Sequence, residues 1–275
     1  SLRCSCVSGL SGVDETHVFI SSGENVCLSC NNALHDCKST AWIYNRFRDS
    51  ATVELIALGI KKKDTESHER LSLGSDCSLN IKNITKEDYG SYTCRQYVND
   101  QQQGTDARVY LHVLHVSSSS SSSSQTEFSA GRSVTLFCQL YSSSAGVFCD
   151  DWIRSERMNL FWVNQAGVKL KRSDSRYQIS APDHCISSLN TTLLNEDHNR
   201  EWRCNVTQRN QLKTSATYTV KISARADSTT AETPVHITNS TTTTPATSTP
   251  GTVKKINKKI NISLLPVSLN PLHVI

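Results

Sequence analysis

The chain has 275 residues, enough for two domains that each bury a hydrophobic core. It carries 29 Lys and Arg against 25 Asp and Glu, a formal net charge of +4 at pH 7. The excess is confined to residues 253–275, which contain no acidic residue and four lysines, Lys254, Lys255, Lys258 and Lys259. The rest of the chain is balanced, which argues against a basic surface for nucleic acid or membranes.

Residues 1–12, SLRCSCVSGLSG, open the chain. Their small side chains are typical of the end of a cleaved signal peptide, with a cut after Gly9 or Gly12, and the alternative is a plain N-terminal extension. The chain also has 11 cysteines and several N-x-S/T acceptor sites, which indicate the secretory route, where disulfides persist. The acceptor asparagines are Asn83, Asn190, Asn205, Asn239 and Asn261.

Short alternating runs follow and occur in two sets. The first set is GENVCLSC (23–30), AWIY with Trp42, ATVELIALGI (51–60), SYTC ending at Cys94 and ARVYLHVLHV (107–116). The second set repeats its landmarks as GRSVTLFC (131–138), LFWV with Trp162 and EWRC ending at Cys204. A period of two predicts strands with one buried face. The repeated order Cys, Trp, Cys, with Gly, Ser, Asn and Asp between the runs, predicts two all-β domains.

Composition sets the boundaries between these parts. The serines of residues 117–124 have nothing to bury and predict a flexible linker. The first domain is therefore expected at residues 13–116 and the second at residues 125–224. Residues 225–252 are dense in Thr, Ser and Pro, as in a mucin-like stalk, and residues 253–275 are expected to be a disordered basic tail. No apolar run approaches the roughly 18 to 20 residues of a transmembrane helix.

The Cys and Trp landmarks of both domains, together with a D-x-G-x-Y-x-C pattern in the first, carry a resemblance. The residues are Cys30, Trp42, Asp88, Gly90, Tyr92 and Cys94, then Cys138, Trp162 and Cys204. On them the chain resembles an immunoglobulin-superfamily cell-surface receptor ectodomain of the leukocyte-receptor type. The resemblance implies two tandem immunoglobulin-like β-sandwiches, each with a tryptophan packed on a disulfide between its sheets.

The resemblance also implies a subtype for each domain. The first domain is similar to a variable-type domain, because it has room for extra strands after the tryptophan. Its Arg70 and Asp88 stand where that family has a salt bridge. The second domain is similar to a constant-type domain, although Trp202 replaces the corner tyrosine and Gln208 stands where that family has histidine.

Cysteine pairing follows from the same resemblance. The bridges between sheets are expected to be Cys30–Cys94 and Cys138–Cys204. In this fold strand B ends, and strand E begins, at the same end of the sandwich. Second bridges are therefore expected at Cys37–Cys77 and Cys149–Cys185, where they would fix the loop after strand B.

Cys27 is left over, together with Cys4 and Cys6. Alternation turns Cys27 outward, since its neighbours Val26 and Leu28 point inward. Cys27 is therefore a candidate for a disulfide between two copies of the chain. The alternatives are a bond to Cys4 or Cys6, or an unpaired thiol.

No metal, cofactor or catalytic site is expected. The C-x-x-C start at Cys27 and Cys30, with His35 nearby, is similar to a zinc site, but Cys30 belongs to the core bridge. No motif that activates a nucleophile or holds a phosphate is present, so the chain is not expected to be an enzyme. His112 and His115 are expected to face solvent.

The acceptor sites narrow the choice of binding surface. Asn190 and Asn205 are expected on opposite faces of the second domain, and Asn83 at the end of the first domain away from its variable loops. The GFCC′ face of the first domain is left bare, rimmed by the loop 98–106. The side chains that alternation turns outward there are Ile43, Arg95, Tyr97, Arg108 and Tyr110. Such residues are enriched in protein interfaces, and solvated strand residues are the alternative.

The resemblance implies an extracellular recognition protein of immune type that binds a protein ligand, on another cell or in solution, through its first domain. It implies neither catalysis nor nucleic-acid binding. Related receptors continue into a transmembrane helix after such a stalk, so the chain as given is expected to be a secreted or truncated form of a cell-surface protein. The alternatives are a homophilic cell-adhesion protein and a secreted decoy form of a membrane receptor.

Overall fold

The computed structural model describes residues 15–34, 36–47, 50–63, 68–119, 127–143, 149–180 and 185–223. Residues 1–12, the stalk, the basic tail, most of the serine run and the acceptors Asn239 and Asn261 lie outside these ranges. Within them the chain is all-β except for short helical turns and one α-helix, α1 (Cys149–Ser155). The 7 residues of α1 are far fewer than the roughly 20 that cross a bilayer.

The first sandwich has two sheets in the part of the chain that the structure describes. Its strands are β1 (Glu15–Ser21), β2 (Val26–Leu28), β3 (Thr40–Asn45), β4 (Val53–Ala57), β5 (Ile60–Lys61), β6 (Leu71–Leu73), β7 (Leu79–Ile81), β8 (Gly90–Val98) and β9 (Gln101–Ser118). One sheet has the order β1-β9-β8-β3-β4-β5 and the other β2-β7-β6. β4 and β5 are the extra strands C′ and C″ of a variable-type domain.

The second sandwich begins with the end of β9. Its other strands are β10 (Glu127–Phe128), β11 (Ser133–Tyr141), β12 (Met158–Val163), β13 (Gln178–Ile179), β14 (Ile186–Thr192), β15 (Glu201–Gln208), β16 (Gln211–Thr219) and β17 (Lys221–Ile222). One sheet has the order β9-β11-β14-β13 and the other β12-β15-β16, while β10 pairs with β17. This is the ABED and CFG arrangement of a constant-type domain.

The serine run starts as a strand and not as a linker. Ser117 and Ser118 pair with β11, Ser118 is buried, and the Ser119 N–H donates to Thr135 O at 2.9 Å. Backbone groups beside the edge of β11 need partners, and serine supplies them as well as any residue that is not proline. The first domain therefore passes into the second without a flexible break at residue 117.

Each sandwich has its own core around a tryptophan and a disulfide. Trp42 and Trp162 are fully buried, and the Trp42 Nε1 donates to Cys77 O at 2.9 Å. All four predicted bridges are present, with Cα–Cα distances of 5.3 to 6.3 Å, inside the usual range for disulfides. They are Cys30–Cys94, Cys37–Cys77, Cys138–Cys204 and Cys149–Cys185.

Cys27 contradicts the expectation of an exposed cysteine. It is only 4% exposed, and it is itself disulfide-bonded within the single chain. Alternation predicts which face of its own sheet a side chain lies on, but it does not predict whether another segment of the chain packs over that face. Cys27 is therefore not available as a free thiol, and the prediction of a dimer through Cys27 is wrong for this structure.

An arginine–aspartate pair closes one end of each sandwich. In the first, Arg70 donates to both carboxylate oxygens of Asp88, at 2.7 and 2.8 Å, and the Tyr92 hydroxyl donates to Asp88 O at 2.7 Å. The predicted salt bridge and tyrosine corner are thus confirmed. In the second, Asp197 is fully buried, accepts a hydrogen bond from Arg176 and forms an ion pair with Arg200. This second pair was not predicted.

Candidate functional site

Two rows of side chains cross the outer face of the larger sheet of the first domain. They form because the registers of β3, β8, β9 and β1 set these residues side by side. The first row is Ile43, Thr93, Arg108 and Glu15, and the second is Asn45, Ser91, Tyr110 and His17.

A groove runs where the side chains in the middle of these rows are short. Ser91 and Thr93 lie between the larger residues, Phe47 lines one side, and Arg108 and Tyr110 line the other. Phe47 is 49% exposed although it is a large apolar residue. The groove is therefore bordered by the Phe47 ring, the Tyr110 phenol and the Arg108 guanidinium, and the short side chains of Ser91 and Thr93 form its floor.

The β1 side of the groove is held by local contacts. The Tyr110 hydroxyl donates to the Glu15 carboxylate at 3.3 Å, and Arg108 pairs with the same oxygen at 3.5 Å. The ring of His17 stacks on Tyr110 with centroids 5.0 Å apart. Arg108 and Glu15 are exposed, so their ion pair adds little stability, but together the contacts orient Tyr110 and Arg108.

Farther along β8, Arg95 is engaged with its own strand neighbour. It donates to both carboxylate oxygens of Asp106 at 2.8 Å. Its hydrogen bonds lower the pKa of Asp106, and those bonds together with that to Tyr97 raise the pKa of Arg95. The positive charge of the Arg95 guanidinium is thus largely neutralised by Asp106 of the same domain.

The structure brings only part of the predicted set together. Arg108 and Tyr110 line the groove, whereas Ile43, Arg95 and Tyr97 lie on the same sheet without lining it. The outward direction expected for all five agrees with their positions on β3, β8 and β9.

The predicted rim at 98–106 is a hairpin and not a loop. β8 ends at Val98 and β9 begins at Gln101, so only Asn99 and Asp100 form the turn. Both have positive φ, +51° and +60°, a conformation that Asn and Asp tolerate and that a tight hairpin turn requires. The rim is therefore a regular two-stranded projection.

His112 contradicts the expectation that it faces solvent. It has no exposed surface, because the second domain covers it. Its Nε2 lies 2.9 Å from His17 Nδ1, its Nδ1 lies 2.8 Å from Ser142 Oγ, and its ring stacks on Trp152. Burial first, and the charge of His17 second, lower the pKa of His112 to about 3. His115 is half-buried.

Seven groove-lining residues were missing from the prediction: Glu15, His17, Asn45, Phe47, Ser91, Thr93 and Ser143. Glu15 and His17 lie on β1, and the alternating stretch ETHVFIS would have indicated a strand there. Its parallel pairing with β9 has no local signal. Phe47 follows β3 in a turn, and no pattern in the sequence marks it.

Residues 13–114 match the family model described as the immunoglobulin V-set domain. The first domain is an immunoglobulin V-set domain. The chain is also 37% identical over 82 residues to Contactin-3 of Homo sapiens, a match that covers 29% of this chain and 8% of Contactin-3. The chain therefore spans only a small part of that relative's length.

Solved structures are also similar, at low identity. Murine CEACAM1b is 20% identical, with 74% of this chain and 94% of that chain covered and a TM-score of 0.31. The N-terminal four immunoglobulin domains of Dscam1 isoform 7.44 are 14% identical, with 78% of this chain and 45% of that chain covered and a TM-score of 0.31.

The first domain presents a grooved face of polar and aromatic side chains. Across the described ranges, no group of three or more His, Cys, Asp or Glu side chains is arranged to hold a metal ion. The disulfides of both domains are typical of proteins that mature in an oxidising, extracytoplasmic compartment.

Proposed function

We propose that the chain is a non-catalytic, extracellular recognition protein of immune type that binds a protein partner through the grooved face of its V-set domain. The observation that carries this proposal is the arrangement of Phe47, Tyr110 and Arg108 around the low floor at Ser91 and Thr93. Aromatic residues and arginine dominate the binding energy of protein interfaces when a partner buries them.

The electrostatics of this face favour recognition by shape over recognition by charge. Arg95 is balanced by Asp106, and Arg108 by Glu15. A partner therefore meets a nearly neutral surface, and burial of Phe47 and Tyr110 supplies the main attraction. Since the ion pair of Arg108 with Glu15 is exposed, Arg108 can turn toward an acidic group of the partner at small cost.

The experiment is a screen of the chain, as a labelled multimer, against a library of cell-surface proteins. For a partner so found, Tyr110→Ala combined with Phe47→Ala should weaken binding by about 2 kcal/mol or more. Tyr97→Ala is the matched control, because Tyr97 lies on the same sheet outside the groove. Equal effects of the control and the groove variant, or none from either, would refute the assignment of this face.

Self-recognition is tested with the same variants. Sedimentation equilibrium of the purified chain at micromolar concentration should show monomers if the partner is a different protein. Dimers that the Tyr110→Ala and Phe47→Ala pair dissociates would instead assign the groove to homophilic adhesion.

A further inference from the structure

The second domain has an open edge between its two sheets. β12 is the edge strand of one sheet, and β13 is the edge strand of the other. A cleft lies between them, walled by Phe161 and Trp162 of β12, Ile179 of β13 and Ser187 of β14. It shares no residue with the V-set groove, so a ligand bound here is independent of the protein partner proposed for that groove.

Three cations line this cleft: Lys169, Lys171 and Arg172. Their segment is fixed, because the Leu170 N–H donates to Trp162 O at 2.9 Å and the Leu170 side chain packs against the core. Among the described residues, none of the three cations forms an ion pair and no acidic residue lines the cleft. The charges of the folded part of the chain are balanced as a whole, so these three cations form a local excess of positive charge that attracts anions.

The cleft walls add aromatic and polar groups. The Lys169 ammonium lies 4.6 Å from the centroid of the Phe161 ring. Trp162 Nε1 is buried without an acceptor in the part of the chain described, whereas its counterpart Trp42 donates to Cys77 O.

An added peptide strand fits this edge poorly. The segment that follows β12 already lies along it, through the bridge of Val163 with Lys169 and the bond from Leu170 to Trp162. The backbone groups that a peptide would need are therefore partly used.

We propose that the cleft binds an anionic saccharide. Its sulfate or carboxylate groups would pair with Lys169, Lys171 and Arg172, since ammonium and guanidinium groups are strong donors to such anions. Its ring hydroxyls match the exposed Ser180, and the apolar face of a sugar ring matches Phe161.

Two sources supply such a saccharide. One is a sulfated chain of the heparan sulfate class on another molecule. The other is a sialylated glycan on the chain's own predicted acceptor Asn190, which lines an adjoining cleft that shares Arg172, Ile179 and Ser180 with the first. Both present the same chemistry to the cations.

The test measures binding of a fluorescent heparin octasaccharide to the full chain by anisotropy. All proteins carry glutamine at the tail lysines 254, 255, 258 and 259, so that the tail does not bind the probe. Lys171→Glu with Arg172→Glu should weaken binding at least about tenfold at low salt. Lys213→Glu with Lys221→Glu makes the same charge change at exposed sites of the same domain and should weaken it less than about threefold.

Equal losses of heparin affinity in the Lys171/Arg172 variant and the Lys213/Lys221 variant would overturn the proposal. So would a lack of binding by both the parent chain and its Asn190→Gln variant. Tighter binding after Asn190→Gln or sialidase treatment would assign the site to the chain's own glycan, and unchanged binding would assign it to an external chain. Thermal melting checks folding, and a Lys171→Gln and Arg172→Gln pair repeats the test without added acid.

Discussion

Acidification should weaken the junction of the two domains through His112. This side chain is fully buried, and its pKa is lowered to about 3, first by burial and then by the charge of His17. Burial lowers the pKa of His17 as well, more than the nearby Glu156 and Glu15 raise it. A proton on either ring must therefore enter a site that disfavours charge.

The sign and size of the effect depend on the difference between the folded and unfolded chain. The unfolded chain takes up this proton near pH 6.5, well above the folded pKa of about 3. His112 therefore contributes stability that is fully present above about pH 6.5 and is lost as the pH falls toward 3. Between about pH 7.5 and pH 5 the loss is about 2 kcal/mol, and His17 acts with the same sign.

Urea unfolding followed by tryptophan fluorescence at several pH values measures this loss. His112→Gln keeps hydrogen-bonding groups at the junction but does not titrate, so its free energy of unfolding should depend less on pH by about 2 kcal/mol over that range. The same pH dependence in wild type and His112→Gln would refute the reasoning.

Three further predictions concern the V-set domain and are read from urea titrations. Serine at Cys37 and Cys77, 40 residues apart, should lower the free energy of unfolding by about 2–3 kcal/mol, because the Cys30–Cys94 bridge still restricts the unfolded chain; no change would show that the second bridge is dispensable. Gly59→Ala should lower the free energy of unfolding by about 2 kcal/mol, because the φ of Gly59 is +77° and an added Cβ would lie 2.7 Å from Cys37 O. Gly104→Ala should lower it by about 1 kcal/mol, because Gly104 has a φ of +68° but open space around the added Cβ. Arg70→Met should lower the free energy of unfolding by about 3 kcal/mol, because it leaves the Asp88 carboxylate without its arginine. Arg200→Met should lower it clearly less, because Arg176 still binds Asp197. Equal losses of stability in the two variants would contradict this account.

Local pattern predicts most of the fold. Buried residues alternate along the strands, and the repeated Cys, Trp, Cys order carries the resemblance to the immunoglobulin fold, which in turn implied all four bridges. The pair Arg176 and Asp197 repeats Arg70 and Asp88 of the first domain, with the arginine again preceding a short strand. That repeat could have been found from the sequence.

What could not be predicted is what covers the outward side of a strand. His112 points away from the core of the first domain and is buried by the second domain. Cys27 also points away from that core, yet it is buried and disulfide-bonded. The groove depends on the same kind of information, since Phe47 comes from a turn and His17 from a strand paired with distant β9. Alternation is a property of one strand, whereas burial is set by separate parts of the chain.

The sharing of β9 between the two sandwiches has a mechanical consequence. At 18 residues and about 3.3 Å per residue, this strand spans about 60 Å. Tension on the second domain loads the ladders of β9 with β1 and β8 along their length, so many hydrogen bonds resist together instead of opening one by one. A force applied across the two domains is therefore carried by β9 and the strands that pair with it.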